Sequence, residues 1–337
     1  MLSSDPNSSN WLPRVFIIIL NYRSWENTIE CLESIFRSEY DRYCVIVVDN
    51  NSMNGSVENI LAWARGEINF WLPPDHKMRQ FSFPPVHKPI GYLQENEENT
   101  ESVNPDNCSL IVIRAKKNGG FSYGNNVGLS IVRNAKHPNH LIWLLNNDTV
   151  ICKDTIRKWV DFARSLNATS FLVGTLVRSY YQPEEVDSKG WGYLDVLSGK
   201  VSHSPIGLLP YRYIVGSSMI VSDIVTLDER YFLYFEDVQY SKTLEKKGFQ
   251  LDFCKESIVY HKISASTSKL SHTKTHKLRS MVTFYRHNYP YLIPIVIGMR
   301  ILFYLLSGKL GNAKEIFQSL LGIPMKTHET SLRKLPT

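Results

Sequence analysis

Residues 141–149 (LIWLLNNDT) constrain the fold of this chain more than any other segment. Five apolar residues run without interruption, which is typical of a strand that is buried on both faces of a sheet. Three polar residues follow, Asn146, Asn147 and Asp148. In open α/β sheets the ligand crevice lies outside the carboxyl ends of the strands, so these residues are predicted to face a ligand. A carboxylate beside side-chain amides can hold a divalent cation, although all three residues also favour a simple turn.

The chain before this segment alternates predicted strands with predicted helices. Residues 15–20 and 45–48 form short apolar runs, whereas residues 25–38 and 56–64 carry apolar side chains at helical spacing. The order strand, helix, strand, helix indicates a parallel, doubly wound α/β sheet. The same patterns predict further strands and helices at residues 110–113, 154–163, 171–177, 238–247 and 257–260.

Residues 118–128 (NGGFSYGNNVG) form a glycine-rich segment between a predicted strand and a predicted helix. Glycines at such a turn let the backbone approach a ligand closely, and a helix N-terminus favours an anion. The spacing matches neither GxGxxG nor a Walker A loop, so neither of these phosphate-binding motifs is predicted. A bare glycine-rich turn is the alternative interpretation.

Residues 231–238 (YFLYFEDV) place four aromatic side chains directly before two adjacent carboxylates, Glu236 and Asp237. Aromatic walls desolvate a site and raise the pKa of a carboxyl group, and neighbouring acids can divide the tasks of orienting and accepting a proton. The alternative is a helix start, whose first turn carries acids because they suit the helix dipole. The two interpretations are compatible, since the predicted helix begins at Val238.

Composition indicates an intracellular globular protein. The 337 residues are 43% hydrophobic, which is enough for one large domain and an appendage. The five cysteines are scattered without a CxxC pair, so neither a disulfide framework nor a zinc site is predicted. Residues 1–10 lack the pattern of a signal peptide, and residues 1–13 are predicted to be flexible. Residues 70–108 hold several prolines and an acidic run, and are predicted to form a surface insertion.

The C-terminal region is basic and contains an apolar helix. From residue 261 onward the chain carries twelve Lys or Arg and two acids, whereas the first 260 residues have a net charge of −4. Residues 291–306 are apolar except for Arg300, but they fall short of the roughly 20 residues that span a bilayer. Flanking cations suit a helix that lies in the interface of an anionic leaflet, and a buried docking helix is the alternative. These cations are Lys274, Lys277, Arg279, Arg286, Lys309 and Lys314.

Seven segments, in this order, resemble the inverting family 2 glycosyltransferases with the GT-A fold, and more narrowly their bacterial rhamnosyltransferase-like branch. They are IIILNYRSWENTIECLESI, VIVVDNNS, NGGFSYGNNVG, LIWLLNNDTVI, IVGSSMIVS, FLYFEDVQYS and SIVYHKISAS. They cover about residues 14–266, which are predicted to form the glycosyltransferase domain, with residues 267–337 as a tail. The resemblance implies an α/β fold with a mostly parallel, Rossmann-like sheet flanked by helices, and a helical, membrane-associated C-terminal tail.

The resemblance also implies a pocket for a nucleotide sugar. Its predicted residues are Asn21, Tyr22, Asp49, Asn118, Asn125, Asn126, Asn146, Gly216 and Ser217. Asp49 is expected to accept a hydrogen bond from a pyrimidine base, and Gly216 and Ser217 are expected near the donor sugar and acceptor. Asn146 stands where the family's metal-binding DxD motif has its first Asp, so this site carries one charge fewer.

Metal and catalytic residues are implied in the same way. Asp148 matches the last acid of the DxD motif, and His261 matches a histidine near the diphosphate that can be a second metal ligand. The implied cofactor is Mg²⁺ or Mn²⁺. Asp237 matches the catalytic base, with Glu236 beside it, and Gln239 replaces the last Asp of the family's Glu-Asp-x-Asp pattern.

The sequence therefore predicts a metal-dependent, inverting sugar transferase that is peripheral on the cytoplasmic face of the cell membrane. The predicted donor is a pyrimidine nucleotide-diphosphate sugar, with rhamnose first, and the acceptor is a polysaccharide or a polyprenyl-linked glycan. The predicted partners include an anionic membrane surface and no nucleic acid. One alternative is a sugar-nucleotide nucleotidyltransferase, which needs a glycine-rich, basic loop after the first strand. The other is a catalytically silent, membrane-surface glycan-binding protein on the same fold.

Overall fold

The computed structural model describes residues 12–137, 139–262 and 273–323. The first half of the chain alternates strands and helices, as predicted. Its elements are β1 (Arg14–Asn21), α1 (Trp25–Ile35), β2 (Tyr43–Asp49), α2 (Ser56–Arg65), α3 (Arg79–Ser82), β3 (Tyr92–Asn96), β4 (Leu110–Arg114), α4 (Gly120–Val132) and β5 (His140–Asn146). The five strands pair in parallel in the spatial order β3-β4-β2-β1-β5.

The second half adds strands of both directions and the C-terminal helices. Its elements are β6 (Thr149–Ile151), α5 (Thr155–Ser165), β7 (Phe171–Ser179), β8 (Val186–Ser188), β9 (Trp191–Asp195), β10 (Lys200–Ser202), β11 (Pro210–Ile214), β12 (Ser218–Val221), α6 (Glu236–Lys246), β13 (Gln250–His261), α7 (Thr273–Asn288), α8 (Ile293–Leu306) and α9 (Leu310–Leu320). Strands β9, β10 and β11 form a separate antiparallel sheet.

The main sheet is mixed, because strands of the second half add antiparallel pairings to the parallel strands that the sequence predicted. Strand β12 lies antiparallel between β5 and β7, and β13 is parallel to β7 but antiparallel to β6. The chain reaches β12 from the small sheet, beside the carboxyl end of β5, with Ser218 opposite Leu145. It must therefore run back along β5.

The segment predicted as a surface insertion has regular structure. Residues 70–108 contain α3 and β3, and β3 pairs in parallel with β4 as the edge strand of the main sheet. The segment thus extends the sheet. The predicted flexible N-terminus lies outside the described residues except for its last two positions, and both sides of the predicted 266/267 domain boundary also lie outside them.

The central strands are buried on both faces, as their unbroken apolar runs predict. Alternate residues of β1 enter opposite layers: Ile17 and Ile19 pack with α1, α2 and α5, whereas Phe16 and Ile18 pack with α4 and α6. Full burial of one such aliphatic side chain contributes about 1.5–3 kcal/mol to folding. The two layers therefore hold the strand ends, and the polar residues that follow them, in a fixed arrangement.

Helices α7, α8 and α9 pack against one another, against the small sheet and against the segment that precedes α6. None of the helices in the described residues is both long enough and apolar enough to span a membrane. The 14-residue helix α8 covers all but the first two residues of the apolar run 291–306.

Candidate active site

A cleft of about 490 Å³ lies at the carboxyl ends of β1 and β5, where the sequence predicted a ligand. Nine of the thirteen predicted site residues line it. They are Tyr22, Asn118, Asn146, Asp148, Gly216, Ser217, Glu236, Asp237 and His261. These residues come from six separate parts of the chain, so the fold brings them together.

Asp148 and His261 form one side of the cleft. The antiparallel pairing of β6 and β13 places Nε2 of His261 3.1 Å from Oδ1 of Asp148, and the backbone N–H of Lys262 donates to the Asp148 carbonyl at 2.9 Å. Burial opposes protonation of His261. The charge and hydrogen bond of Asp148, together with the charge of Asp187, outweigh that effect and raise the pKa of His261 above its ordinary value.

Asp148 and His261 are the candidate metal donors. No group of three His, Cys, Asp or Glu side chains within the described ranges is arranged to hold a metal ion. Two protein donors still suit Mg²⁺ or Mn²⁺ if phosphate oxygens and water complete the coordination, since Mg²⁺ sites commonly use one or two carboxylates plus substrate phosphates. Asp187 also lines the cleft, and its buried Oδ2 makes no hydrogen bond within the described chain. Burial raises its pKa, against the charges of His261 and His203.

Glu236 and Asp237 also line the cleft, and they are the first two residues of helix α6. The Asp237 carboxylate accepts hydrogen bonds from the backbone N–H of Gly216 at 3.1 Å and from that of Val238 at 2.8 Å. Burial raises the pKa of Asp237, although these backbone hydrogen bonds lower it in part. Burial, and then the charge of Asp237, raise the pKa of Glu236 well above its ordinary value. The acids thus begin a helix and line the cleft, so the helix-start interpretation is confirmed and their catalytic role stays a prediction.

The turn before these acids has an unusual backbone. Tyr234 and Phe235 both have positive φ, +69° and +66°, in a region that residues with a side chain rarely adopt. Strained residues of this kind concentrate at functional sites, where the surrounding structure holds them in place. The strained turn therefore supports the assignment of the adjacent acids to the site.

The glycine-rich segment contacts this turn directly. The Phe121 N–H donates to the Phe232 carbonyl at 2.9 Å, and Gly120 has φ of +82°. A Cβ atom at Gly120 would lie 2.1 Å from that carbonyl oxygen, so the backbones can meet only at a glycine. Gly120 is therefore needed for close approach to the protein's own backbone, whereas the sequence suggested close approach to a ligand.

Asn50 is a cleft residue that sequence reasoning missed. Its side-chain amide donates to Oδ1 of Asn118 at 2.9 Å and to the Gly120 carbonyl at 3.1 Å, which ties the end of β2 to the glycine-rich segment. The position of Asn50 directly after the second strand could have predicted it as a cleft residue. Asp187 carried no such signal, because it lies in a turn-rich region without a periodic pattern.

Asn21 and Asp49 lie beneath the cleft and do not line it. Both are buried, and Asn21 donates to Asp49 at 2.7 Å while accepting from the Thr28 hydroxyl at 2.9 Å. The Ser52 N–H donates to the second Asp49 oxygen at 3.0 Å. These bonds fix the ends of β1 and β2. The contact of Asp49 with a pyrimidine base stays a prediction.

Asn125 and Asn126 also lie outside the cleft lining. The Asn125 amide donates to the Phe121 carbonyl within α4 at 2.9 Å. Asn126 donates to the Leu227 carbonyl at 2.9 Å and accepts from the Leu227 N–H at 2.8 Å. Since both side chains bond to backbone, the geometry supports a structural role for them. Their predicted position along the nucleotide gains no support.

Comparisons with known proteins agree with this architecture. Residues 16–73 match the family model for Glycosyl transferase family 2. The fold is similar to that of the mannosyltransferase PcManGT from Pyrobaculum calidifontis, solved in complex with GDP-Man and Mn²⁺. The TM-score is 0.50 and the identity 14%, over 98% of this chain and 81% of that one.

Two structures of S. aureus TarS also match, at 12% identity. The TM-score is 0.45 for TarS residues 1–349, over 92% of each chain. It is 0.44 for the longer TarS structure, over 86% of this chain and 43% of that one. Among curated protein sequences, none matches this chain. The protein thus has an α/β, GT-A-like fold, and its residues 16–73 match a family 2 glycosyltransferase domain.

Proposed function

We propose that the protein is an inverting, metal-dependent glycosyltransferase. One observation carries the proposal: a single cleft is lined both by Asp148 and His261, which are hydrogen-bonded to each other, and by the acids Glu236 and Asp237. Transfer of a sugar from a nucleotide diphosphate needs both parts. The leaving diphosphate develops negative charge, and the acceptor hydroxyl needs a base because it is a poor nucleophile.

Asp237 is the proposed base. Its raised pKa improves proton acceptance, while the Gly216 and Val238 N–H groups fix the orientation of its carboxylate. A base that acts from the face opposite the leaving group inverts the anomeric centre in one step. Asp148 and His261 would hold the Mg²⁺ or Mn²⁺ ion, which supplies charge neutralisation for the diphosphate.

The proposed donor is a pyrimidine nucleotide-diphosphate sugar, with rhamnose first, and the proposed acceptor is a polysaccharide or polyprenyl-linked glycan. Tyr22, Asn50 and Asn118 line the part of the cleft next to β1 and β2, where we place the nucleotide. PcManGT was solved with a guanine nucleotide sugar, so purine donors belong in any screen.

The nucleotidyltransferase alternative gains no support from the segment after β1. Arg23 is the cation of that segment, and its Nε donates to the Ser52 carbonyl at 3.2 Å while its guanidinium lies 5.4 Å from the Tyr22 ring centroid. Both contacts hold it against the protein. The silent binding protein is disfavoured by the strained turn and by the adjacent acid pair, of which Glu236 is buried, since a glycan-binding surface needs neither.

A nucleotide-sugar screen tests the proposal. Purified protein is incubated with pyrimidine and purine nucleotide sugars and Mn²⁺, and release of the nucleoside diphosphate is measured. We expect release with at least one donor, and its loss in Asp237→Asn. The matched control is Asp161→Asn, an exposed acid of α5 that pairs with Arg164. Donor binding without release of the nucleoside diphosphate, with or without added glycan acceptors, would favour the silent protein. In a second incubation a nucleoside triphosphate and a sugar 1-phosphate replace the nucleotide sugar, and release of pyrophosphate there would favour the nucleotidyltransferase.

We also propose that the C-terminal helices rest on an anionic membrane surface at the cytoplasmic face. Helices α8 and α9 expose a group of large apolar side chains, as monomeric soluble proteins rarely do over a large area. They are Ile295, Met299, Leu302, Phe303, Leu305, Leu306, Leu310 and Phe317. The guanidinium of Arg300 donates to the Ser198 carbonyl at 2.7 Å. This hydrogen bond within the protein reduces the cost of placing a cation among these apolar side chains.

The predicted cationic flank is smaller than the sequence suggested. Arg279 pairs with Glu315 at 3.0 Å, Arg286 donates to the Leu320 carbonyl, and Lys277 lines the cleft. Lys309 and Lys314 lie on α9 or just before it, next to the apolar group. The apolar area therefore supports the membrane proposal more strongly than the charge does.

A further inference from the structure

Helix α7 contacts the strained turn before the acid pair at successive positions. The His276 ring stacks on the Phe232 ring, with centroids 4.5 Å apart and an interplanar angle of 18°. The Ser280 hydroxyl donates to the Leu233 carbonyl at 2.9 Å, across 47 residues of sequence. Two consecutive residues of the turn are therefore held by α7.

The next two residues of the turn also meet this helix. The Lys277 ammonium lies 5.7 Å from the Tyr234 ring centroid, and the rings of Phe235 and Phe284 are 5.5 Å apart. Tyr234 and Phe235 are the two positions with positive φ. A strained backbone persists only where its surroundings over-determine it, and here the glycine-rich segment contacts the turn from another side through Phe232.

We propose that α7 sets the geometry of the acid pair, with Ser280 as a positioning residue. This inference rests on the proposed function, because it assigns catalytic work to Asp237. Ser280 is buried, and its bond to Leu233 ends three residues before the first acid, Glu236. Lys277 also lines the cleft, so α7 forms part of the cleft wall. Helix α7 then belongs to the catalytic unit, whereas the sequence assigned it to a tail.

Removal of the hydroxyl tests the inference. Ser280→Ala is expected to fold, to bind the donor nucleotide within about twofold of wild type, and to lose about 10-fold or more in kcat, because misplacement of a catalytic group slows the reaction step. The matched control is Thr283→Ala on the same helix, whose hydroxyl makes no hydrogen bond within the described residues. Ser280→Thr keeps the hydroxyl and is expected to restore kcat.

The contact of His276 with Phe232 provides a second test, which does not depend on whether the larger threonine side chain fits at position 280. His276→Ala removes the ring stack on Phe232 and is expected to lower kcat in the same way, whereas His276→Phe retains a ring and most of the activity. Equal kcat in Ser280→Ala and Thr283→Ala would overturn the inference. So would parallel losses of donor affinity, melting temperature and kcat, because these indicate a general structural role.

Asp237→Asn, measured in the same assay, distinguishes the positioning role of Ser280 from the catalytic role of Asp237. If Asp237→Asn is inactive and Ser280→Ala is fully active, only the positioning role is lost. If Asp237→Asn remains active, the assignment of the catalytic base itself fails. The pH profile of kcat gives a further distinction, since a displaced turn changes the burial of both acids and shifts the profile of Ser280→Ala but not that of Thr283→Ala.

Discussion

Gly120→Ala should damage both the stability and the turnover of the enzyme, for two separable reasons. At φ of +82° an alanine is strained by about 1–2 kcal/mol relative to glycine. The new Cβ would also lie 2.1 Å from the Phe232 carbonyl oxygen. Since a packed interior has no spare room, the turn before the acids must move by about 1 Å, and overpacking of this kind costs about 1–3 kcal/mol more.

Gly248→Ala is the matched control for this prediction. Gly248 has φ of +85°, but a Cβ there would meet no atom within 4 Å. It therefore isolates the backbone strain, about 1–2 kcal/mol, without a clash and at the far end of α6. Thermal unfolding and nucleoside diphosphate release would be measured for both variants. We expect Gly248→Ala to keep its kcat, and Gly120→Ala to be less stable and to lose about 10²-fold in kcat. Equal stability and turnover of the two variants would refute the reasoning.

The remaining predictions concern the two sides of the cleft and the C-terminal helices. Asp148→Ala should remove the stimulation of nucleotide-sugar binding by Mg²⁺ or Mn²⁺, and full wild-type activity in excess EDTA would contradict the metal requirement. Asp237→Asn should lower kcat by about 10²–10⁴ with little change in donor affinity, and Glu236→Gln should be milder. Because the pKa of Glu236 is raised in the folded protein, the wild type loses stability as pH rises through that pKa. Glu236→Gln does not titrate, so the melting temperature of this variant relative to wild type should increase with pH. A difference in melting temperature that stays constant with pH would contradict the raised pKa. Leu306→Asp should weaken flotation with anionic liposomes. Leu208→Asp should not, because Leu208 is at least as exposed but lies outside the apolar group. Equal flotation of the two variants would remove the membrane assignment.

The sequence was most informative where burial is uniform. The apolar runs of β1, β2, β4 and β5 predict strands buried on both faces. Tyr22 and Asp148, which follow two of these strands, line the cleft. The sequence was less informative about the direction of strands. Strand β12 is as apolar as the parallel strands, and only the route of the chain makes it antiparallel. Strand β3 was missed because its exposed edge position removes the apolar signal.

The predicted site residues divide into those that line the cleft and those that do not. A polar residue after a buried strand is predicted to be near the ligand, but the sequence does not say whether its side chain points into the cleft or beneath it. Asn21 and Tyr22 are neighbours with opposite outcomes, because Asn21 bonds to Asp49 while Tyr22 lines the cleft. Asn125 and Asn126 differ from Asn118 for a related reason: they lie within α4, where their side chains reach backbone carbonyls.

The antiparallel strand that the sequence did not predict connects the two chemical sides of the cleft. Asn146, at the end of β5, donates its backbone N–H to the Ser217 carbonyl at 3.1 Å. The adjacent Gly216 donates its own N–H to the Asp237 carboxylate at 3.1 Å, and a Cβ at Gly216 would lie 3.3 Å from that of Asp237. Two hydrogen bonds therefore relate the proposed base to the end of β5, two residues before the proposed metal ligand Asp148. Because β12 runs antiparallel to β5, the residues that lead into it, Gly216 and Ser217, lie beside the end of β5 and supply this link.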